Sequence, residues 1–421
     1  MRTNKLQLLL IIGIAFSLGF FVGTQKVSFD WKNYKPQISI VNNEPPSFLG
    51  TVDMAQFWDV WNKLDTLYYN KKVLDPQKML NGAITGMVQS IGDPFTMYLP
   101  PVQNNDFQQQ LAGKFEGIGA ELGLKDKQIV VIAPLDGSPA QKAGVRPGDE
   151  IVKVGDVSTS GWSLQQAVDK IRGPKGTQVV LGIIHKGSTE TASISITRDT
   201  ITVKSVLGWI KQVKDIDNLS DQFKQQYGSQ KIMYVQLSQF GDNTNQDWTA
   251  LINQLAGELK QQPDVKGMIL DLRNNPGGYL TDATFIAGEF LPQGKTVVTE
   301  DAGNEQTTSL AVTRDGQLLN IPLVVLINGG SASASEIVAG ALRDYNRATL
   351  VGDQSYGKGT VQQALDLGAG AGLHVTIAKW LTPKGTWVNG KGLTPDVKVA
   401  LDPNNPLEDL QVEAGIKQLL K

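Results

Sequence analysis

The chain has 421 residues, 41% of them hydrophobic and 19% charged, which suits a globular protein of two or three domains rather than a disordered one. A formal charge of −2 argues against nucleic acid or an anionic membrane surface as the main partner. With no cysteine and only two histidines, His185 and His374, disulfides and thiolate zinc sites are excluded, and neither a metal nor a cofactor is expected.

At the N-terminus, Arg2 and Lys5 precede Leu6 to Gly23, an apolar run broken only by Gln7 and Ser17. This predicts a membrane-length segment with the bulk of the chain outside the cytoplasm. Phe20-Phe21-Val22-Gly23-Thr24 lacks a good cleavage pattern, so the run reads as an uncleaved anchor rather than a removed signal. Residues 27 to about 50 are polar and read as an irregular tether. Helical spacing begins at Met54, with Phe57, Val60, Trp61, Leu64 and Leu67 on one stripe. A second helix opens at Asp75-Pro76 and stops at Gly92-Asp93-Pro94, although Gly82 and Gly86 weaken it.

From Gly113 to Asp199 short β-rich runs surround a helix-like Leu164–Ile171, as in a compact β module. From Thr200 onward strands and helices alternate. Met233–Leu237, Gly267–Leu272 and Leu323–Ile327 read as buried strands, and Trp248–Leu259, Tyr279–Phe290 and Ser335–Tyr345 as helices. An α/β sheet with active groups at strand ends follows from that order. Gly368–Gly372 reads as a loop only.

Three segments could carry chemistry. Ser331, Ser333 and Ser335 follow a buried strand and open a helix, where amides can face a developing oxyanion. Ser333-Ala334-Ser335-Glu336 is also a capping box, and spacing does not choose among the serines. With no motif around either histidine, a lysine is the expected base, and Lys358 stands between Gly357 and Gly359. Such a base must be neutral, which requires burial or cationic neighbours. Gly352–Lys358 also fits G-x-x-x-x-G-K, but Gly359 stands where a phosphate loop needs Ser or Thr. Asn274-Asn275-Pro276-Gly277-Gly278 leaves a strand with paired glycines, able to turn an amide toward a substrate oxygen. In the β module, Gly117-Ile118-Gly119-Ala120 precedes a strand, where loop amides can hold a peptide carboxylate.

Together these segments resemble the C-terminal processing peptidases, tail-specific serine proteases with a Ser/Lys dyad, from Phe57 to Val397. The family order is kept: Gly86–Thr96, then PDZ-like Gly117–Ala120, Ser138-Pro139-Ala140 and Arg146-Pro147-Gly148-Asp149. The core follows with Asp271–Gly278, Ser331–Glu336, Tyr356–Gly359, Gly390-Lys391-Gly392 and Thr394-Pro395-Asp396. The resemblance implies Ser333 as nucleophile, Lys358 as base and Gln362 as the residue orienting its amine. It implies an oxyanion hole from Ala334 and one of Gly277 or Gly278, a structural Asp344, and a PDZ loop at Gly117, Ile118, Gly119 and Ala120. Lys384-Gly385-Thr386-Trp387 departs from the Ser-Gly-Arg that relatives often carry after Thr-Pro.

The resulting expectation is a multidomain α/β and β protein. Residues 1–25 are an anchor or signal, 26–52 a linker and 53–105 a helical region; 106–199 form a PDZ domain, 200–398 a ClpP/crotonase-like α/β serine protease core, and 399–421 a C-terminal segment. Its expected partners are proteins with apolar C-terminal tails and the bacterial cell membrane, with a second copy or an activator protein left open. Hydrolysis would run through an acyl-enzyme near the substrate's C-terminus.

Overall fold

The computed structural model describes residues 26–32, 35–41, 53–125, 128–135, 137–303, 306–400 and 408–421. The expected anchor at 1–25 lies outside them, and among the described residues no helix is long and apolar enough to cross a membrane. The described residues up to Met79 form one unit and those from Leu80 onward another.

In the first unit, β1 (Lys26–Lys32) and β2 (Lys35–Val41) pair antiparallel. This corrects the expected irregular linker: Val, Ile, Phe and Trp alternate with polar residues through both segments, a strand-favouring pattern. Helix α1 (Ala55–Leu67) forms as its spacing predicts but buries no side chain. Helix α2 (Pro76–Gln89) starts under the Asp75 carboxylate, which accepts from the amides of Gln77 (2.9 Å) and Lys78 (3.2 Å). A Cβ at Gly82 or Gly86 would meet nothing within 4 Å, so the glycines cost helix propensity without serving a close contact.

Beyond Met79 come β3 (Met97–Leu99) and α3 (Pro101–Leu111). The expected boundary at residue 105 therefore falls inside a helix that Pro101 opens and Gly113 (φ +65°) ends. Next are β4 (Lys114–Gly117), β5 (Ala120–Lys125), β6 (Gln128–Pro134), β7 (Glu150–Val154), β8 (Val157–Ser158), α4 (Leu164–Ile171), β9 (Gln178–Ile184) and β10 (Thr191–Thr197). Their sheet has the order β10-β9-β7-β6-β5, with β8 on β7, around a core of its own that includes Ile129, Ile151, Leu181 and Ile183. Strand β11 (Asp199–Thr202) leaves this module by pairing with β4, by which the chain entered it.

The C-terminal half is built on β12 (Val206–Gln212), β13 (Lys231–Leu237), α5 (Thr244–Gln261), β14 (Val265–Asp271) and α6 (Leu280–Ala287). Strands β15 (Thr296–Asp301), β16 (Thr307–Ala311) and β17 (Leu323–Ile327) follow, then α7 (Ala334–Asp344) and β18 (Thr349–Gly352). The chain closes with β19 (Thr360–Gly368), β20 (Ala371–Leu381), β21 (Val397–Lys398) and α8 (Leu410–Leu419). The main sheet runs β12-β13-β14-β17-β18-β21 and is parallel from β13 onward. Its apolar strands are covered on both faces, as parallel strands require. Met268, Leu270, Leu323 and Val325 point into the core with Trp248, Phe290 and Val338. Ile269, Val324 and Leu326 point the other way, onto Val412 and Ile416 of α8.

A second, antiparallel sheet in the order β16-β15-β20-β19, with β3 on β20, has no counterpart in the sequence expectation. The supposed loop at Gly368–Gly372 is its hairpin: only Ala369 (φ +50°) and Gly370 (φ +82°) separate β19 from β20. Two successive left-handed residues give the turn whose twist matches paired strands.

Candidate active site

Three parallel strands deliver the site from their C-terminal ends, where open α/β sheets place ligands. Past β14 runs the Asn274–Gly278 loop, past β17 the Asn328–Ser333 loop, and past β18 the segment carrying Lys358. Ser333 and Lys358 line one cavity of about 270 Å³ together with Gly277, Gly278, Gln362, His374 and Trp380.

The three candidate serines separate by their hydrogen bonds. Ser331 is buried and donates to Leu272 O (2.8 Å), and Ser335 is buried and donates to Asn275 O (2.8 Å). Both hydroxyls fix the glycine loop to the helix start. Ser333, half-buried, faces the cavity with φ +53° and ψ −116°, a conformation that costs a non-glycine residue energy and clusters at functional sites.

Glu336 supplies the hub. Its buried carboxylate accepts from Ser333 N (2.9 Å), Gly357 N (2.7 Å), Lys358 N (2.9 Å) and Ser355 Oγ (2.5 Å). One side chain thus ties the backbone of the serine to the backbone of the lysine. Two indoles hold the same segment from its carbonyl side: Trp380 donates to Lys358 O (2.8 Å) and Trp387 to Gly359 O (2.9 Å). Trp387 belongs to the Lys384–Trp387 departure, so that stretch braces the lysine segment. Asp344 accepts from Lys384 N (2.9 Å), a structural contact behind the cavity.

Among the described residues Lys358 makes no salt bridge or side-chain hydrogen bond, and its amine sits 5.1 Å from the centre of the Phe95 ring. Burial pushes the amine below the usual lysine range, while the nearby Asp93 carboxylate partly restores it. Burial alone would raise the Asp93 carboxyl, but hydrogen bonds from Thr376, Thr96 and the Phe95 and Thr96 amides hold it low and charged. Both residues come from Gly92–Thr96, the turn ending α2. Gly92 (φ +79°) permits it, and Thr96 Oγ1 donates to Asp93 (2.6 Å) and accepts from Thr376 N of β20 (3.0 Å). In the sequence this turn reads as a helix stop and as part of a family motif, with no role in the site. The signal was an acid-proline-aromatic turn at a helix end.

Ser333 and Lys358 share the cavity without a hydrogen bond between them. Gln362 lines it too, but its amide donates to Thr360 Oγ1 (2.8 Å) and Thr376 Oγ1 (3.1 Å) and does not touch the lysine. It stands on β19, whose extended backbone carries residue 362 away from residue 358. His374 stands edge-on to Phe107 with ring centres 4.7 Å apart, and burial, with Lys358 second, holds its imidazole below the usual range. His185 is elsewhere, paired with Asp149 at 2.9 Å.

The two glycines of the expected oxyanion loop differ. Gly277 (φ +95°) donates its amide to Asn275 Oδ1 (2.9 Å), and a Cβ there would lie 2.7 Å from that of Ser333. The amides of Gly278 and Ala334 have no partner among the described residues. Of the two glycines, Gly278 is therefore the one whose amide is unengaged among the described residues. Its own place is set by a bridge to Phe240, with a would-be Cβ almost on Phe240 O.

In the β module, Gly117, Ile118 and Gly119 are buried, and Gly119 (φ +73°) leaves no room for a Cβ beside Ser138. Ile118 O and Gly119 O accept from Ala140 N (2.8 Å) and Leu135 N (2.9 Å), while their own amides are unpartnered among the described residues. Ala120 opens β5, the last strand of its sheet.

Comparison with known proteins matches residues 130–184 to the PDZ domain and 231–399 to peptidase family S41. The carboxy-terminal-processing protease of Bartonella bacilliformis is 38% identical over 85% of this chain and 77% of its own. Carboxy-terminal processing protease CtpA of Bacillus subtilis is 36% identical over 81% of this chain and 68% of its own. The chain belongs to the carboxy-terminal processing proteases of family S41. This peptidase is accordingly a serine-type protease with a PDZ domain. The solved photosystem II D1 C-terminal processing protease is 30% identical, with a TM-score of 0.51 over 86% of this chain and 97% of that one. A putative S41 protease from Bacteroides fragilis, 17% identical with a TM-score of 0.56, shares the fold.

Proposed function

We propose that the peptidase cleaves proteins near their C-terminus by Ser/Lys acyl-enzyme chemistry outside the cytoplasm. The observation that carries the reading is a desolvated Lys358 amine, without an ion-pair partner among the described residues, in the same cavity as the strained Ser333. Neutral Lys358 takes the Ser333 hydroxyl proton as Oγ bonds to the scissile carbonyl carbon. The amides of Gly278 and Ala334 receive the oxyanion. As the C–N bond breaks, the ammonium returns its proton to the leaving amine, and water activated by the lysine then releases the acyl group. No hydrogen bond joins the Ser333 and Lys358 side chains, so the two must approach before attack, with Gln362 turning from its threonines to orient the amine.

Recognition of an apolar tail is assigned to the β module. The free amides of Ile118 and Gly119 suit a terminal carboxylate, and the outer edge of β5 accepts the tail as an added strand. The apolar run Leu6–Gly23, flanked by Arg2 and Lys5, would hold the enzyme on the bacterial membrane with its body outside.

Because His374 lines the same cavity, a Ser/His pair is the competing reading. Cleavage of a protein with an apolar tail by full-length enzyme should fall about 10³-fold or more in Ser333→Ala and Lys358→Ala but survive His374→Gln. Activity retained by Lys358→Ala and lost in His374→Gln would replace the lysine with the histidine.

A further inference from the structure

Asp93 acts on the lysine amine and Gln362 is expected to orient it; a single threonine joins the two. Gln362 on β19 stands opposite Thr376 on β20 in the strand register. The Gln362 amide donates to Thr376 Oγ1 (3.1 Å), and the Thr376 N–H donates to Thr96 Oγ1 (3.0 Å). Thr96 Oγ1 donates in turn to the Asp93 carboxylate (2.6 Å), which also accepts from the Phe95 N–H (3.1 Å) and from the Thr376 hydroxyl. Thr376 therefore meets Asp93 twice, directly through its hydroxyl and again through Thr96.

The direction of these bonds is fixed by their ends. An amide N–H donates and a carboxylate accepts, so the Thr376 hydroxyl accepts from Gln362 and gives its proton to Asp93. Donation to a charged acceptor makes a hydroxyl oxygen a stronger acceptor in turn, which tightens its hold on the Gln362 amide. The same O–H dipole, aimed at the carboxylate, offsets part of the negative charge that favours the Lys358 ammonium. Besides Asp93, the titratable groups around the lysine among the described residues are His374 on β20, near enough to feel its charge, and Glu336 on α7, bonded to its N–H.

We propose that Thr376 is a positioning residue for the lysine base: its hydroxyl ties the Gln362 amide to Asp93 and sets how strongly that acid bears on Lys358. This rests on the Ser333/Lys358 reading. With the hydroxyl in place, the amide is held on β20 and the Asp93 charge is shared among four hydrogen-bond donors. When Gln362 turns to the lysine, the hydroxyl stays on Asp93, so the acid remains partly screened. Without the hydroxyl the charge acts on the lysine undiminished, the ammonium is favoured, and neutral base is present only at higher pH.

The test is the pH profile of kcat/KM for full-length Thr376→Val, Thr376→Ser, Asp93→Asn and the double variant Asp93→Asn/Thr376→Val, each beside a thermal melt. Valine keeps the shape and strand preference of threonine and removes only the hydroxyl. The acid limb of Thr376→Val should move up by about half a pH unit or more, a loss of about threefold in kcat/KM at a fixed pH below it. Thr376→Ser keeps the hydroxyl and should restore the wild-type limb, while Thr376→Ala should shift it in the same direction as valine. In the Asp93→Asn background the valine change should move the limb by no more than about 0.2 pH unit, because the hydroxyl acts through the charge of the acid. A limb that stays at its wild-type position in both Thr376→Val and Thr376→Ala overturns the proposal. So does an equal shift with and without Asp93, or a fall in melting temperature and kcat that leaves the limb in place. Wild-type cleavage by Lys358→Ala would instead overturn the dyad reading.

Discussion

Ser333 and Lys358, the proposed dyad, acquire their character from the residues around them. The serine's backbone is held in a costly region by Glu336 behind it, and the lysine's amine is kept dry beneath Phe95. Asp93 acts against that drying, since its negative charge favours the ammonium. Asp93→Asn removes the charge, which lowers the Lys358 pKa further and makes the neutral base available at lower pH. The acid limb of the kcat/KM profile should therefore move to lower pH in Asp93→Asn. A limb that stays in place or moves up would show that another group sets it.

At the scale of elements, the site is a meeting of loops whose alignment depends on few bonds. Glu336, in the first turn of α7, accepts from both the serine loop and the segment after β18. Glu336→Gln keeps the shape but replaces one acceptor oxygen with a donor that faces other donors. Losing charge-assisted bonds worth about 3 kcal/mol in alignment should lower kcat about 100-fold, with KM little changed and the fold retained. Steady-state kinetics beside a thermal melt separate that result from simple unfolding. Elements were also where sequence reading was uneven. Leu323–Ile327 was legible because five consecutive apolar residues buried on both faces leave few alternatives. Strands β19 and β20 were not, because QQALDLG and GLHVTIAKW lie half-exposed and gain their stability from pairing with each other and with β3 and β15.

Across the whole molecule, the C-terminal segment closes the far face of the sheet that carries the active loops. Arg273, one residue beyond Leu272, bonds Asp271 and also Asp409 (2.8 and 2.9 Å) and Gln411 (3.0 Å) at the start of α8. Asp271 in turn accepts from Tyr234 (2.7 Å), and Ser220 anchors Glu413 (2.7 Å). Arg273→Ala would leave the buried Asp271 carboxylate without its counter-charge, at a cost of about 3–5 kcal/mol. Urea denaturation of the variant should show that loss, and an unchanged midpoint would mean that the network is dispensable.

The amino-acid sequence by itself determined the two kinds of module, the strand-ending loops and the short set of residues that could do chemistry. These follow from local pattern: apolar runs, caps and paired glycines report on their own neighbourhood. Only the tertiary structure decided which of them meet. It committed Ser331 and Ser335 to loop carbonyls, spent the Gly277 amide on Asn275, and turned Gln362 toward two threonines. It also brought Asp93 and Phe95 to a lysine more than 260 residues later in the chain. The physical reason is that hydrogen-bond partners and burial are properties of close approach in space, which separation along the chain does not encode.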